Sequence, residues 1–314
     1  MTDGRQTTRK PHILCAGNAV QDMVMRVETF PAPGMKIRAS DFVIVGGGCA
    51  ANAAVAATRL GAVARYAGPL GGEDDETSDN IVRGLEQQGI DCSGAMRIAG
   101  AVAPVSLILL DAHGEKTIAT RRGSGLTEAA PADPERLVEG VDGVLVDNAF
   151  TAFVMPVCKA ARRRNLPVVM DLDRATECNE PLLQCATHLI SSAQALRYAT
   201  KVDDLKEGLA VFGRHVDCFL AVTDGPNGTY WLENGRVRHF DAFKVDTIDT
   251  LGAGDTFHGA FLFGILTGCD AVEAMRFAAA AAAIKCTRFG GLTGAPTYNE
   301  VTAFLRERAP AAAK

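Results

Sequence analysis

Asp249-Thr250-Leu251-Gly252-Ala253-Gly254-Asp255-Thr256-Phe257 decides how this chain is read. Two glycine steps stand directly before an acid, and a long apolar helical pattern follows. Gly252 and Gly254 can take backbone angles closed to other residues. Successive N–H groups there can form an anion-binding nest at the start of the helix. Asp255 falls in the first turn, where the helix field favours the carboxylate. Phosphoryl transfer needs donors for the moving charge and a carboxylate to take the acceptor hydroxyl proton. Gly252, Ala253, Gly254 and Asp255 can supply both. Taken alone, they also read as a structural glycine turn with an acid at a helix start.

The rest of the chain has a β-α-β rhythm. Ile13–Asn18 is a buried strand ending at a turn, Cys49–Leu60 an alanine-rich helix, Val63–Ala67 a strand and Thr77–Gln88 a helix. Short apolar strands follow at 144–146, 168–170, 189–190 and 218–222, with helical patterns at about 152–164 and 202–211. From Gly254 onward the pattern is mostly helical, ending with a helix near Tyr298–Glu307. Alternating strands and helices predict a parallel sheet covered on both faces. Two segments break the rhythm. Lys36–Val45 reads as a strand between loops, and Val102–Leu110 with Lys116–Thr120 flank the turn Asp111-Ala112-His113-Gly114. They are placed in a small second layer able to cover a cleft or pair with another subunit. The plainer reading is an antiparallel edge on the main sheet.

A chain of 314 residues that is 47% hydrophobic can bury a large α/β core. Its net charge of −5 argues against a nucleic-acid surface. The nine cysteines form no Cys-x-x-Cys pair and read as buried thiols of a reducing compartment. Met1–Lys10 is polar, so no secretory leader is expected and the location expected is cytoplasmic. The alanine run 278–283 is too short to span a bilayer and predicts close helix packing.

A second glycine cluster, Gly46-Gly47-Gly48, lies between a strand and a helix, with Asn52 one turn in. It lets a ligand approach the backbone, and Asn52 can bind two hydroxyls. It lacks the dinucleotide spacing, and the chain has no phosphate loop ending in Gly-Lys-Ser/Thr. Asp22 follows the first strand, where open sheets bind ligands, and can take two sugar hydroxyls. Thr223 and Gly225 open a glycine-rich turn reaching Gly228 and can approach nucleotide phosphates. Each of these also reads as an ordinary turn or a solvated loop acid.

Together these segments resemble the ribokinase-like sugar kinases, the PfkB carbohydrate kinase family, along nearly the whole chain. Residues 46–54 with Leu60-Gly61 resemble its first signature. Residues 249–257 resemble its second and more specific one. The resemblance implies a three-layer α/β/α ribokinase-like domain over 1–314. It adds a small β-sheet lid formed by about 34–45 and 98–122, with a homodimer through that lid. It implies ATP and Mg²⁺, with Asp255 as base and the amides of Gly252, Ala253 and Gly254 as anion hole. Asp22, Gly47, Gly48 and Asn52 match sugar-contacting positions. Ser192, Thr223, Gly225 and Gly228 fall on the nucleotide side. The carbonyls of Asp249 and Leu251, with others around 285–291, match a monovalent cation site of the K⁺ type.

The segments 231–235, 243–246 and 285–291 resemble members of the family that phosphorylate sulfofructose. Lys36 matches a sulfonate-binding lysine of those members. Ala149 beside Asn148 stands where they have a basic residue, leaving Arg121, Arg122 or Arg174 to supply positive charge. The family's Asn-x-x-Glu, whose Glu organises Mg²⁺ through water, is replaced by Ser191-Ser192-Ala193-Gln194-Ala195. Asp171 and Asp173 are the candidate substitutes. The expected activity is phosphorylation of a primary hydroxyl on a ketose or sulfofructose-like sugar. The alternatives are a nucleoside kinase and a non-catalytic sugar- or nucleotide-binding regulator on the same scaffold.

Overall fold

The computed structural model describes residues 9–308. Most of Met1–Lys10, read above as leaderless, lies outside that range. The chain opens with β1 (His12–Ala16), β2 (Val20–Arg26), β3 (Asp41–Gly47), α1 (Cys49–Leu60), β4 (Val63–Gly71), α2 (Glu76–Gln87) and β5 (Asp91–Ile98). The hairpin β6 (Val105–Leu110) and β7 (Lys116–Arg121) follows. Next come α3 (Pro134–Leu137), β8 (Gly143–Asp147), α4 (Thr151–Arg163), β9 (Val168–Leu172), β10 (His188–Ser192), α5 (Ala193–Thr200) and α6 (Leu205–Phe212). The chain continues through β11 (Phe219–Thr223), β12 (Thr229–Glu233), β13 (Arg236–Phe240), α7 (Ala253–Leu266), α8 (Ala271–Cys286) and α9 (Tyr298–Glu307).

Nine strands form the main sheet in the order β13-β12-β11-β10-β9-β8-β1-β4-β5. It is parallel from β11 to β5, and β12–β13 add an antiparallel hairpin at one edge. Side chains alternate along each strand. Ile13 and Cys15 of β1 join the core under α1, α2, α7 and α8, whereas Leu14 and Ala16 join the core under α4, α5 and α6. The result is the expected three-layer α/β/α domain.

Small residues set the closest helix approaches. A Cβ at Gly259 of α7 would lie 2.5 Å from the Ala53 carbonyl oxygen of α1. At Gly264 it would lie 3.1 Å from the Ala274 side chain of α8. The alanines of α8 serve this close packing, as the sequence predicts. Strand β5 escaped the sequence reading because it is short on apolar residues. Its Gly94 sits where a Cβ would meet Ala67 at 2.8 Å.

The second sheet has the order β3-β2-β6-β7 and forms the small lid. It contains a strand that the sequence reading treated as a loop: β2, which carries Asp22. Pairing of β2 with β3 and β6 is long-range, so local pattern alone does not reveal it. The strand expected at 36–45 begins only at Asp41, after the Pro31-Ala32-Pro33-Gly34 stretch. Pleating gives this sheet two different faces. Val24, Ile108 and Leu110 point inward and pack with Leu251. On the other face Ile44, Met23 and Leu107 are register partners, as are Phe42, Met25 and Leu109. Of these, Phe42, Ile44 and Leu107 are exposed. Among the described residues, no helix is long and apolar enough to cross a membrane.

Candidate active site

The site gathers at the C-terminal ends of β1, β8, β9, β10 and β11, where open α/β sheets bind ligands. The run 249–257 enters it through a turn. Gly252 has φ 75° and caps α7, a left-handed conformation that favours glycine. Asp249 holds the turn from within. Its Oδ1 accepts the Leu251 amide at 2.7 Å, and its Oδ2 accepts the Gly290 and Gly291 amides at 3.0 Å each. Ala253 and Gly254 then form the first turn, so this helix N-terminus faces the site with Asp255 inside it.

Asn52 of α1 donates through Nδ2 to Asp255 Oδ2 at 2.5 Å. Burial pushes the Asp255 carboxyl up to about 6, against the Asn52 hydrogen bond, and Asp173 raises it further. Asp22 stands on the inward face of β2. Burial raises its carboxyl to about 7, opposed by the Ser106 hydroxyl and reinforced by Asp255. A carboxylate tuned toward neutrality suits a general base.

Two glycines of the triplet make room here, Gly47 for Asp22 and Gly48 for the Asn18–Ala19 backbone. A Cβ at Gly47 would lie 2.0 Å from Asp22 Oδ2, and one at Gly48 would lie 2.6 Å from the Asn18 carbonyl oxygen. Gly48 also has φ 92°. Among the described residues, Asn18 Oδ1 and Asn52 Oδ1 are buried without a hydrogen-bond partner. Buried polar atoms are nearly always paired, so an orphan asks for a ligand donor.

Asp147 is a residue the sequence reading passed over in favour of Asn148 and Ala149. Its Oδ2 accepts the Asn18 amide at 2.7 Å and the Ala50 amide at 3.1 Å, and its Oδ1 accepts the Ala149 amide at 2.9 Å. It thereby ties the ends of β1 and β8 to the start of α1. Its position at the end of a fully apolar strand was the available signal.

Lys116 was also missed, because a charged hairpin reads as solvated. The β6–β7 register places it on the same face as Leu110 and Ile108, toward the site. Its Nζ lies 3.4 Å from the Thr250 carbonyl oxygen, and its charge opposes the upward shifts of Asp22 and Asp255.

Other expected residues fall less centrally. Arg121 is the register partner of Val105, on the lid face opposite Asp22, and donates to the Ala103 carbonyl at 3.1 Å. Lys36 is exposed in the irregular stretch before β3. Arg174 is exposed after β9; burial raises the Asp147 carboxyl, and the Arg174 charge offsets part of that rise. Ser192 caps α5 through the Ala195 amide. Thr223 ends β11 with Oγ1 directed at the Ser191 carbonyl, and Gly225–Asn227 form a single 3₁₀ turn closed by Gly228 at φ 96°.

A divalent cation has a fitting donor set. Ligand atoms of Cys49, Asp171 and Asp255 lie within 4.8 Å of one another. Burial raises Asp171 well above the usual carboxylate range, and Asp255 and Asp173 raise it further. Burial likewise holds Cys49 as a thiol, so carboxylate oxygens are the hard ligands on offer. His258 backs Asp171, with Nδ1 3.4 Å from its Oδ2.

The chain matches the pfkB family carbohydrate kinase profile over residues 10–298. It is 29% identical over 297 residues to a ribokinase of Bacillus subtilis, covering 94% of this chain and 99% of the relative. It is 29% identical over 299 residues to an ATP-dependent ribose-1-phosphate kinase of Halopiger xanaduensis, covering 94% and 98% respectively. A crystal structure from Agrobacterium tumefaciens, provisionally assigned as a ribokinase, superposes with a TM-score of 0.90 at 35% identity, covering 95% of this chain and 98% of that one.

Proposed function

This chain belongs to the pfkB carbohydrate kinase family, and from that membership we propose that it moves the γ-phosphate of ATP to the primary hydroxyl of a neutral pentose or ketose. The observation that carries the acceptor class is the pair of orphaned acceptors, Asn18 Oδ1 and Asn52 Oδ1, beside the carboxylate of Asp22. Two acceptors without donors, next to a carboxylate, suit a molecule rich in hydroxyls. The sulfofructose-like alternative needs a cation for the sulfonate. Lys116, itself exposed, stands on the inward face of the lid, whereas Arg121 is on the outward face and Lys36 is exposed before β3.

Asp22 and Asn52 hold the sugar against the 46–48 turn. Asp255 takes the proton of the attacking hydroxyl. The amides of Gly252, Ala253 and Gly254 stabilise negative charge on the transferring group. Thr223, Gly225 and Gly228 border the nucleotide phosphates. Asp171 and Asp173 would hold Mg²⁺ in place of the missing Glu, and the bound ion would neutralise phosphate oxygens. The lid covers the acceptor and excludes water.

A substrate panel with ATP and Mg²⁺ tests this reading through ADP release. Release should depend on ribose, deoxyribose or fructose and be absent without sugar. Preference for sulfofructose, a sugar phosphate or a nucleoside would overturn the neutral acceptor. Binding of sugar with no ADP formed under any condition would favour the regulatory alternative.

The exposed row Phe42, Ile44 and Leu107 fits the same apolar row of a second copy. Light scattering should read a dimer, converted to monomer by Ile44→Glu. A monomeric wild type would rule out pairing through the lid.

A further inference from the structure

Lys285 is the side chain that the proposed mechanism leaves unused. It sits in the last turn of α8 and is fully buried, as is its partner Asp249. Its Nζ donates to the Asp249 carbonyl oxygen at 2.8 Å and lies 3.1 Å from Asp249 Oδ2. The surrounding helix is mostly alanine, so an apolar residue would fill the position at less desolvation cost. A buried ion pair is weak evidence for stability as its purpose. The ammonium therefore calls for another role.

Its surroundings are rich in acceptors. The C-terminal end of α8 points its carbonyls here, and the Cys286 carbonyl accepts the Ile248 and Asp249 amides at 2.7 and 3.1 Å. A helix C-terminus favours positive charge. Asp249 in turn holds the Leu251, Gly290 and Gly291 amides, so whatever fixes Asp249 fixes the approach to Gly252–Gly254.

This is also where the family resemblance calls for a monovalent cation on the Asp249 and Leu251 carbonyls. The residues present do not fit that ion. The Asp249 carbonyl already accepts a hydrogen bond from Lys285, and a second cation beside a buried ammonium would meet direct repulsion.

We propose that Lys285 is a tethered counter-cation that replaces the monovalent ion and keeps the 249–254 turn in its anion-binding form without K⁺. This rests on the kinase reading of the same site. Lys285 acts through Asp249 and the turn, so it is a positioning residue with no contact to the reacting atoms.

The test compares potassium chloride with choline chloride at equal ionic strength, reading turnover and thermal unfolding in parallel. Wild-type turnover and melting temperature should be the same in both salts. Lys285→Ala should lose about 10- to 100-fold in kcat in choline as the anion hole loosens. Potassium should restore much of that loss and raise the variant's melting temperature. Lys285→Met fills the space and should not respond to potassium.

Stimulation of the wild type by potassium would overturn the proposal. So would a Lys285→Ala variant that stays active in choline, or one that no cation restores. If Lys285→Ala fails to fold in choline, folding regained in potassium supports the proposal and its absence there opposes it. Should no sugar be phosphorylated at all, the kinase reading fails. The melting shifts would then still report whether Lys285 keeps the ion out.

Discussion

Asp255→Asn should lower kcat by about 10²- to 10⁴-fold, the usual worth of a positioned proton acceptor. Sugar and nucleotide binding should change far less, because Asn52, Asp22 and the helix amides remain. The loss should come without loss of folding. The Asp255 carboxyl is raised from 3.8 to about 6 in the folded protein, chiefly by burial. For a raised carboxyl, its contribution to stability is fully present below 3.8 and is lost as pH rises through about 6. At pH 8 the wild type therefore holds a buried charge that the amide does not. Asp255→Asn should melt at an equal or higher temperature there, and the gain should vanish near pH 4.

The same shifts set the pH profile of the wild type. The base works only when ionised, so kcat/KM should fall on acidification below about 7 and more steeply below about 6. Asp22 and Asp255 sense each other, so the two apparent values belong to the pair. An acid limb near pH 4, or near-normal turnover in Asp255→Asn, would remove Asp255 from the role of base.

Asp249→Ala should be the most destabilising single change near the site. It strips the hydrogen bonds to the Leu251, Gly290 and Gly291 amides and leaves the buried Lys285 ammonium without its carboxylate. Removing one partner of a buried ion pair costs about 3–5 kcal/mol. Urea unfolding measures it. The double variant Asp249→Ala/Lys285→Met should recover part of the loss, because the uncompensated charge is gone. Equal stability of the single and double variants would mean that the ammonium finds another partner.

The sequence located the glycine runs at the candidate site better than the strands around them. Residues 249–257 and 46–48 announce themselves by glycine spacing, which is local. The alanine-rich α1 and the capped α9 are legible over their full lengths for the same reason. Asp22 was read as a candidate sugar contact and placed in a loop, because only pairing with β3 and β6 makes its segment a strand. Lys116 and Arg121 show the limit most clearly. They lie five residues apart on one exposed strand, and only register against β6 tells which faces the site. Lys285 looks like a surface lysine in an alanine helix until α8 is packed against the 249–254 turn.

The contact of Gly259 with Ala53 has a consequence for how such an enzyme could change its taste. It welds α1 to α7, and so fixes Asn52 against Asp255. Asp22 and Lys116 ride on a separate sheet. Under the proposed function, the residues that move phosphate and much of the surface that chooses the acceptor lie on different pieces. Under that reading, mutations in the strands of the lid should retarget the acceptor while the helical pair keeps its aim. Retraining this scaffold toward a new sugar should begin at the inward positions of β2, β6 and β7.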